Sequence, residues 1–349
     1  MGTINPDHER QFDGPLQLSG ALDKYESFEV TPLLGTEFPD ASLRSWFESP
    51  DSDVLMRELA ITISQRGVVF FRKQDDLTDD LQKCIVQRLG ELTGKPKTSK
   101  LHIHPFFYSA LPLGTDDDEL NFISAKQDAM AYGKPERFTK RQTARWEWHT
   151  DTPQEVIPSD YSMLRLVELP KGGGGDTLWA SGYEIYDRIS KPYQQFLEGL
   201  TATLSEPKYE SLAKKLNHSL HPGPRGSPEN VKLTPVVHPV VRTNPVTGWK
   251  SLFTVGHSVR KINGLTANES ENLLKWFTQL IMENHDLQLR HRWVSPNDVA
   301  IWDNRCVFHA ATKDIDVDDD RAGHRVSGIG ERPYLDPKSL SRREALGLL

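Results

Sequence analysis

The sequence has few cysteines and no long apolar run. Cys84 and Cys306 are its two cysteines among 349 residues, too few for a disulfide framework, and without CxxC spacing they do not indicate a zinc finger. We expect both to be small buried apolar residues rather than nucleophiles. No stretch reaches the ~20 apolar residues of a membrane helix, and the first residues lack the apolar segment of a secretory signal. These absences predict a cytoplasmic protein that does not enter a membrane.

The chain also lacks a basic segment. Lysine and arginine number 42 against 49 aspartates and glutamates, a formal net charge of -7, and the pI is near 6.0. Nucleic-acid binding depends on clustered lysines and arginines that neutralise phosphates, so this composition argues against nucleic acid as a partner. Hydrophobic residues make up 37% of the chain and charged residues 26%, which is typical of a globular protein with a sizeable core. Composition leaves open whether the chain forms a homo-oligomer.

Local patterns predict strands and helices along much of the chain. The stretch "RGVVFFRKQ" (66–74) is an apolar run bounded by charge and glycine, as in a strand buried on both faces. A helical pattern follows it and ends at Gly94. Thr266 followed by Glu269 forms a capping box ahead of a second helix. Further strands are predicted at 160–169, 176–181, 297–304 and, as a hairpin, 238–255.

The order of these elements predicts the fold class and the domain organisation. Strands dominate the middle and end without a repeating βαβ rhythm, which favours a β sandwich or jelly roll with flanking helices over a doubly wound sheet. Residues 1–28 are polar and rich in turn residues, so we expect a loosely tied N-terminal arm. The aperiodic polar segment 112–145 is long for a connection and is predicted to be a lid. We expect residues 29–349 to form a single domain.

The stretch "WHTD" places His149 and Asp151 two positions apart. Along an extended strand, such residues project to the same side. They would then supply two of the three ligands of a 2-His-1-carboxylate triad, which commonly holds non-haem Fe(II). The alternative is a polar turn, because this spacing is common by chance. The candidate for the third ligand is His309 in "DNRCVFH".

Four other motifs accompany "WHTD" in a fixed order along about residues 60–335. They are "GGDTLWASG", "HPVVRTNPVTG", "DVAIWDNRCVFHAA" and "RAGHR". Together the five motifs resemble those of the taurine/2,4-D dioxygenase (TauD/TfdA) family of Fe(II)- and 2-oxoglutarate-dependent enzymes. The resemblance implies a double-stranded β-helix, that is, a cupin-like jelly roll, as the catalytic domain. It also implies Fe(II), 2-oxoglutarate and O₂ as the reactants besides the substrate.

The resemblance assigns residues to the iron and to 2-oxoglutarate. By it, His149, Asp151 and His309 bind iron, while Arg321 and Thr177 bind the distal carboxylate of 2-oxoglutarate. The chemistry agrees, because a keto acid held by a metal at one end needs a cation for its far carboxylate, and the guanidinium fork binds a carboxylate in a bidentate pair. From the residues alone, the arginine could instead pair with the neighbouring acidic run "DIDVDDD".

The resemblance also implies residues that contact the primary substrate. Arg325 matches the position that meets the acidic group of the substrate, and His104 in "LHIHP" matches a histidine with the same partner, with His102 as the alternative. Arg145 stands where the taurine enzyme has an asparagine beside the substrate amine, and a cation there argues against taurine itself. Phe253 aligns with an aromatic residue near the substrate, with plain core as its alternative. We therefore expect a small anionic substrate, such as a sulfonate, a carboxylate or an acidic heterocycle.

Other residues near the motifs are predicted to be structural. His238 and His257 have no partner at metal-ligand spacing. His324 would face away from the cavity on an extended strand. We expect Trp148 to anchor its strand in the core, and Asp303 to hold the turn before the distal histidine.

The predicted function is oxidation of a C–H bond of a small anionic substrate, with release of succinate and CO₂. Asp151 favours hydroxylation, or a desaturation or cleavage by the same oxidant, because related halogenases lack this carboxylate. A zinc-dependent hydrolase on the same His/Asp/His set is the main alternative, but it leaves Thr177 and Arg321 without a role. A non-catalytic small-molecule binder is the second alternative, and the presence of all three candidate ligands argues against it.

Overall fold

A computed structural model describes most of the chain. The described residues are 14–106, 116–124, 126, 147–312, 314–315 and 321–348. The greater part of the predicted lid (112–145) lies outside them. Within that segment, residues 121–124 form a short strand at the edge of a sheet.

The described part of the predicted N-terminal arm lies against the body of the protein. The amide of Leu16 donates to the carbonyl of Val246 at 2.8 Å. The carboxylate of Glu58 accepts hydrogen bonds from the amides of Ser19 and Gly20, both at 2.7 Å. Residues 14–20 are therefore tied to a helix and a turn of the main body.

The chain is mainly β with flanking helices, as predicted. The strands are β1 Phe28–Glu29, β2 Thr36–Phe38, β3 Val68–Phe71, β4 Asn121–Ser124, β5 Ser159–Glu168, β6 Thr177–Ser181, β7 Thr201–Leu204, β8 Val236–Pro239, β9 Val241–Thr243, β10 Lys250–Leu252, β11 Val259–Ile262, β12 Gln288–His291, β13 Asp298–Asp303, β14 Val307–Ala311 and β15 Ala322–Ile329.

A seven-stranded and a three-stranded sheet build the centre of the fold. The larger has the strand order β1-β2-β3-β13-β5-β15-β4 in the described part of the chain, and the smaller has the order β12-β6-β14. Two short sheets, β11-β7-β8 and β10-β9, complete the described β structure. Strands distant in sequence are neighbours in both central sheets, which is the connectivity of a jelly roll rather than of a meander.

Side chains of the larger sheet alternate between two cores. On its outer face, Tyr161 packs in a cluster with the helices. On its inner face, Leu164 packs with Trp179 of the smaller sheet. Each large apolar side chain buried in these layers stabilises the fold by about 1.5–3 kcal/mol. By this alternation and the β5–β15 register, Ser162 and Arg325 also lie on the inner face, between the two sheets.

Helices cover the outer face of the larger sheet and flank the smaller one. They are α1 Leu43–Phe47, α2 Ser52–Arg66, α3 Asp79–Leu92, α4 Gly182–Asp187, α5 Lys191–Glu198, α6 Lys208–Lys215, α7 Ala267–Met282 and α8 Arg342–Ala345. The predicted capping box of Thr266 and Glu269 is present at the start of α7. None of the helices in the described segments is long and apolar enough to cross a membrane.

Several local predictions are confirmed and one is wrong. The strands expected in 66–74 and 297–304 are β3 and β13, and the hairpin in 238–255 is the antiparallel pair β9–β10. Cys306 is buried, but Cys84 is exposed. Cys84 takes the solvent face of α3 because its neighbour Ile85 points into the core.

Candidate metal centre and active site

The fold brings three separated side chains together between the sheets. His149 forms an isolated antiparallel bridge with His309 of β14. In this bridge the amide of each histidine donates to the carbonyl of the other, at 3.0 and 2.8 Å. The two imidazole rings lie 4.2 Å apart between centroids. Ligand atoms of His149, Asp151 and His309 all lie within 4.8 Å of one another, which is the proximity a shared metal ion requires.

Hydrogen bonds orient the two ligands of "WHTD". Nδ1 of His149 lies 2.5 Å from the Glu147 carbonyl, so this nitrogen donates and Nε2 keeps its lone pair. Oδ2 of Asp151 accepts from the Ser162 hydroxyl at 2.8 Å. Its Oδ1 lies 3.8 Å from Nε2 of His309. Nε2 of His149 and Oδ1 of Asp151 therefore face no acceptor or donor of the "WHTD" loop itself, although Oδ1 also accepts from Arg325 at 2.9 Å.

The third ligand presents its Nε2 to the site, 3.8 Å from Oδ1 of Asp151. Within the described residues, the buried Nδ1 of His309 has no hydrogen-bond partner, which is unusual for a buried imidazole. Two neutral imidazoles and a carboxylate suit a divalent transition metal such as iron or zinc. The donor set therefore fits a bound metal ion.

Electrostatics keeps the three groups in the protonation states that a metal needs. Burial lowers the pKa of His309 to about 4, although Asp151 opposes the shift. Burial also lowers the pKa of His149 well below its ordinary value, and the nearby His309 and His257 lower it further. Burial raises the pKa of Asp151, but Arg325 and the two histidines outweigh it and bring the pKa below its ordinary value. At neutral pH the site thus has two neutral imidazoles and one carboxylate.

Asn304 links the two halves of the site, a role that the sequence patterns did not reveal. Its Oδ1 accepts from the amide of Asp151 at 3.1 Å and from Nε1 of Trp302 at 3.0 Å. Its Nδ2 donates to the hydroxyl of Ser162 at 2.8 Å, and its carbonyl accepts from the hydroxyl of Thr150 at 2.7 Å. The "WDN" turn before the distal histidine therefore holds the loop of the proximal ligands.

The framework predictions for the neighbouring residues agree with their contacts. Trp148 is buried in the core beside the smaller sheet. Asp303 accepts from the amide of Arg305 at 2.9 Å and from its guanidinium Nε at 2.7 Å, which fixes the turn ahead of β14. His324 lies 2.7 Å from Asp79 on the helix side of the larger sheet, away from the metal centre.

Thr177 and Arg321 lie at one end of the smaller sheet. Thr177 pairs with Ala311, two residue pairs along from the pair of His309 with Trp179, so its side chain shares the face of His309. Its hydroxyl accepts from Nε1 of Trp293 at 3.1 Å and so keeps its own proton to donate. The buried Arg321 donates from Nε to the carbonyl of Gly175 at 3.0 Å.

The glycine turn before β6 makes room for that arginine. Gly175 has φ +66°, and a Cβ there would lie 2.6 Å from both Cδ and Nε of Arg321. Its amide donates to Asp314 at 2.9 Å, and Arg290 pairs with the adjacent Asp176 at 2.7 Å. The glycine turn therefore leaves space for the side chain of Arg321 and accepts a hydrogen bond from its Nε.

One of the predicted substrate residues, Arg325, borders the metal centre. Arg325 donates from Nη1 to Oδ1 of Asp151 at 2.9 Å. His104 is buried, and its Nδ1 accepts from the amide of Phe106 at 3.0 Å. Nε2 of His102 lies 3.4 Å from Oε1 of the buried Glu155. Burial lowers the pKa of His104 well below its ordinary value, and the nearby His102 and then Arg325 lower it further.

The remaining predicted residues have other surroundings. Phe253 is buried and packs against Arg242 at 4.7 Å and His238 at 6.0 Å, contacts typical of core. His238 lies 2.9 Å from the Glu155 carbonyl, as expected of a structural histidine. Arg145 lies outside the described residues.

His257 stands closer to the site than its spacing suggested. Its ring centroid lies 5.4 Å from that of His149. Nε2 of His257 lies 3.1 Å from Glu206 and 3.0 Å from Nζ of Lys208. No local motif could reveal this group, because more than a hundred residues separate His257 from His149 along the chain.

Sequence comparisons agree on one family. The model of the family described as taurine catabolism dioxygenase TauD, TfdA family matches residues 26–327. An alpha-ketoglutarate-dependent dioxygenase of Neocamarosporium betae is 52% identical over 95% of this chain and 98% of its own length. An alpha-ketoglutarate-dependent sulfonate dioxygenase of Saccharomyces cerevisiae is 35% identical over 90% of this chain and 69% of its own length.

A solved structure supports the fold. The crystal structure of a taurine dioxygenase from Burkholderia xenovorans superposes with a TM-score of 0.65 at 24% identity, over 90% of this chain and 93% of that one. This likeness confirms the predicted jelly roll. With the family match over most of the sequence, the conclusion is that the chain belongs to the TauD/TfdA dioxygenase family.

Proposed function

We propose that this chain, a 2-oxoglutarate-dependent oxygenase by its family and relatives, oxidises a C–H bond of a small anionic substrate at an Fe(II) ion. His149, Asp151 and His309 would hold the iron. The observation that carries the proposal is the convergence of their ligand atoms within 4.8 Å, and a buried arginine held by the glycine turn before β6 accompanies it. When bound, iron and 2-oxoglutarate supply the oxidation: O₂ is consumed, the keto acid becomes succinate and CO₂, and one oxygen atom goes to the substrate.

Arg321 and Thr177 would bind the distal carboxylate of 2-oxoglutarate. The Nε donation to Gly175 fixes the guanidinium of Arg321 in a buried position, where a charge-assisted pair with a carboxylate is strong. The Thr177 hydroxyl accepts from Trp293 and can donate its proton to the same carboxylate. A zinc hydrolase would have no use for this pair of residues.

Arg325 and His104 would bind the acidic group of the primary substrate. Arg325 lies on the inner face and reaches the metal centre, as its 2.9 Å contact with Asp151 indicates. A substrate acid held there would lie beside the oxidation site. The relative from Saccharomyces cerevisiae, named as a sulfonate dioxygenase, supports an anionic substrate. Hydroxylation fits the complete ligand set, as do a desaturation or cleavage by the same oxidant.

The test is an anaerobic titration of metal-free protein with Fe(II) and then 2-oxoglutarate, followed by visible absorption of the chelated keto acid. Wild type should develop a charge-transfer band, and Arg321→Ala should need at least about tenfold more 2-oxoglutarate, since a charge-assisted hydrogen bond is lost. Arg332→Ala is the matched control, because Arg332 is a surface arginine paired with Glu229. Tight metal binding without any band in wild type would overturn the proposal in favour of the hydrolase.

A further inference from the structure

A group of charged side chains, here called the rim cluster, lies beside the metal centre. Its members are Glu206, Lys208, His257 and Arg260. Nζ of Lys208 lies 3.0 Å from Nε2 of His257 and 3.4 Å from Oε2 of Glu206. Arg260 lies 3.6 Å from the other oxygen of Glu206. The cluster joins the segment before α6 to the segment around β11.

The rim cluster reaches the site through two contacts. The His257 ring lies 5.4 Å from the ring of His149, a proposed metal ligand. The residue after Lys208 is Tyr209, whose ring meets His104 edge-on at 5.0 Å. His104, a proposed substrate residue, thus lies beside α6. Burial and the nearby His102 lower the pKa of His104 most, and Arg325 and then Lys208 lower it further.

The charges of the rim cluster do not cancel. Its one carboxylate, Glu206, is buried and also accepts from the hydroxyl of Ser258 at 3.1 Å. Lys208 and Arg260 bring two formal positive charges against the one negative charge of Glu206, so one positive charge is in excess before His257 is counted. The Lys208 side chain is 40% exposed, and an ion pair with that exposure contributes little to stability. Folding alone therefore does not account for a cation placed at this edge of the site.

We infer that the rim cluster is a second anion subsite and that the substrate is a dianion with an acidic group at each end. This inference rests on the proposed function. One acidic group lies at Arg325 beside the metal centre, and the second lies at the rim, where Lys208 donates to it with His257 alongside. A sulfo-carboxylate or a dicarboxylate chain has this chemistry. Such a substrate would be held at both ends, which fixes the C–H bond between them.

The test uses probes that differ in one charge. A series of ω-sulfo carboxylates of increasing chain length is compared with alkanesulfonates of the same lengths, by calorimetric titration of the anaerobic enzyme loaded with Fe(II) and saturated with 2-oxoglutarate. In wild type, at least one dianion should bind about tenfold more tightly than its monoanionic match, which is the effect of one charge-assisted hydrogen bond. Lys208→Gln should remove most of this preference, and Lys208→Arg should keep it.

Lys214→Gln is the control, because Lys214 is exposed on the same helix and lies in its last turn. It should leave both affinities unchanged. The inference is overturned if no dianion is preferred by wild type, or if Lys208→Gln weakens dianion and monoanion alike. Decarboxylation of 2-oxoglutarate by the same wild-type preparation separates the two proposals: its absence refutes the proposed function, whereas its presence with no dianion preference refutes only the second subsite.

Discussion

Replacing Asn304 with alanine should loosen the loop that carries the proposed ligands His149 and Asp151. The amide oxygen of Asn304 accepts from the Asp151 amide at 3.1 Å and from Trp302 Nε1 at 3.0 Å, and its Nδ2 donates to Ser162 at 2.8 Å. Ser162 in turn donates to Asp151. The substitution therefore removes support from both the backbone and the carboxylate of one ligand while leaving every ligand in place.

The size of the effect follows from the buried groups left behind. In Asn304→Ala the Asp151 amide and the Trp302 indole N–H both lose their acceptor in a buried site, at a cost of about 1–3 kcal/mol each. The free energy of unfolding should fall by about 2–6 kcal/mol in total, as measured by urea denaturation. Loss of such outer-sphere support typically lowers metal affinity by about 10–100-fold. Competition with a chromogenic Fe(II) chelator under anaerobic conditions measures that affinity.

The control must lose stability without touching the ligands. Asn230 is fully buried, and its side chain bonds to the amide and carbonyl of Ile157 at 2.9 and 2.8 Å. Asn230→Ala should therefore unfold more easily but keep its Fe(II) affinity within about twofold. If Asn304→Ala loses no more Fe(II) affinity than Asn230→Ala does, Asn304 does not position the site.

Two further predictions concern the glycine turn and a buried histidine. Gly175→Ala should raise the 2-oxoglutarate concentration for half-saturation by about tenfold or more, because its Cβ would lie 2.6 Å from Arg321 and displace a charge-assisted donor. Gly173→Ala, at φ +77° with no atom within 4 Å of the added Cβ, carries only the backbone strain and should leave saturation unchanged. Burial lowers the pKa of His291 from 6.5 to about 3, so the unfolded state binds more protons between these values, and the free energy of unfolding decreases as the pH is lowered, by up to about 1.4 kcal/mol per pH unit. His291→Phe should flatten the urea-derived stability profile between pH 6.5 and pH 4, and an unchanged slope would contradict the shift.

Local signals accounted for much of the fold. The apolar run at β3, the capping box at Thr266 and the turn between β9 and β10 each act within a few residues, so the sequence is sufficient to predict them. The order of motifs predicted the jelly roll. The spacing of "WHTD" also anticipated that His149 and Asp151 project together, and the structure brings His309 beside them. Their binding of iron stays a prediction.

Long-range contacts could not be predicted from spacing. Asn304 and Ser162 are common polar residues in strand and turn positions, and their link to Asp151 arises only when β5 and β13 pair in register. His257 has no neighbouring motif residue and reaches His149 through the return of the chain after β10. Whether a cysteine in a helix is buried depends on the face it occupies, and the short apolar pattern around Cys84 was not enough to predict that face.

The most direct test of the account follows CO₂ release from carboxyl-labelled 2-oxoglutarate in air, with Fe(II) and without added substrate. Uncoupled turnover at an Fe(II) site should be slow but measurable in wild type. The rate of CO₂ release should fall by at least about 100-fold in Asp151→Ala, because the substitution removes a proposed metal ligand. Asp314→Ala is the comparison, because Asp314 is not one of the three proposed ligands, and this variant should keep an Fe(II)-dependent rate. Release that is undiminished in Asp151→Ala, or that zinc supports as well as Fe(II), would contradict an iron site built on His149, Asp151 and His309.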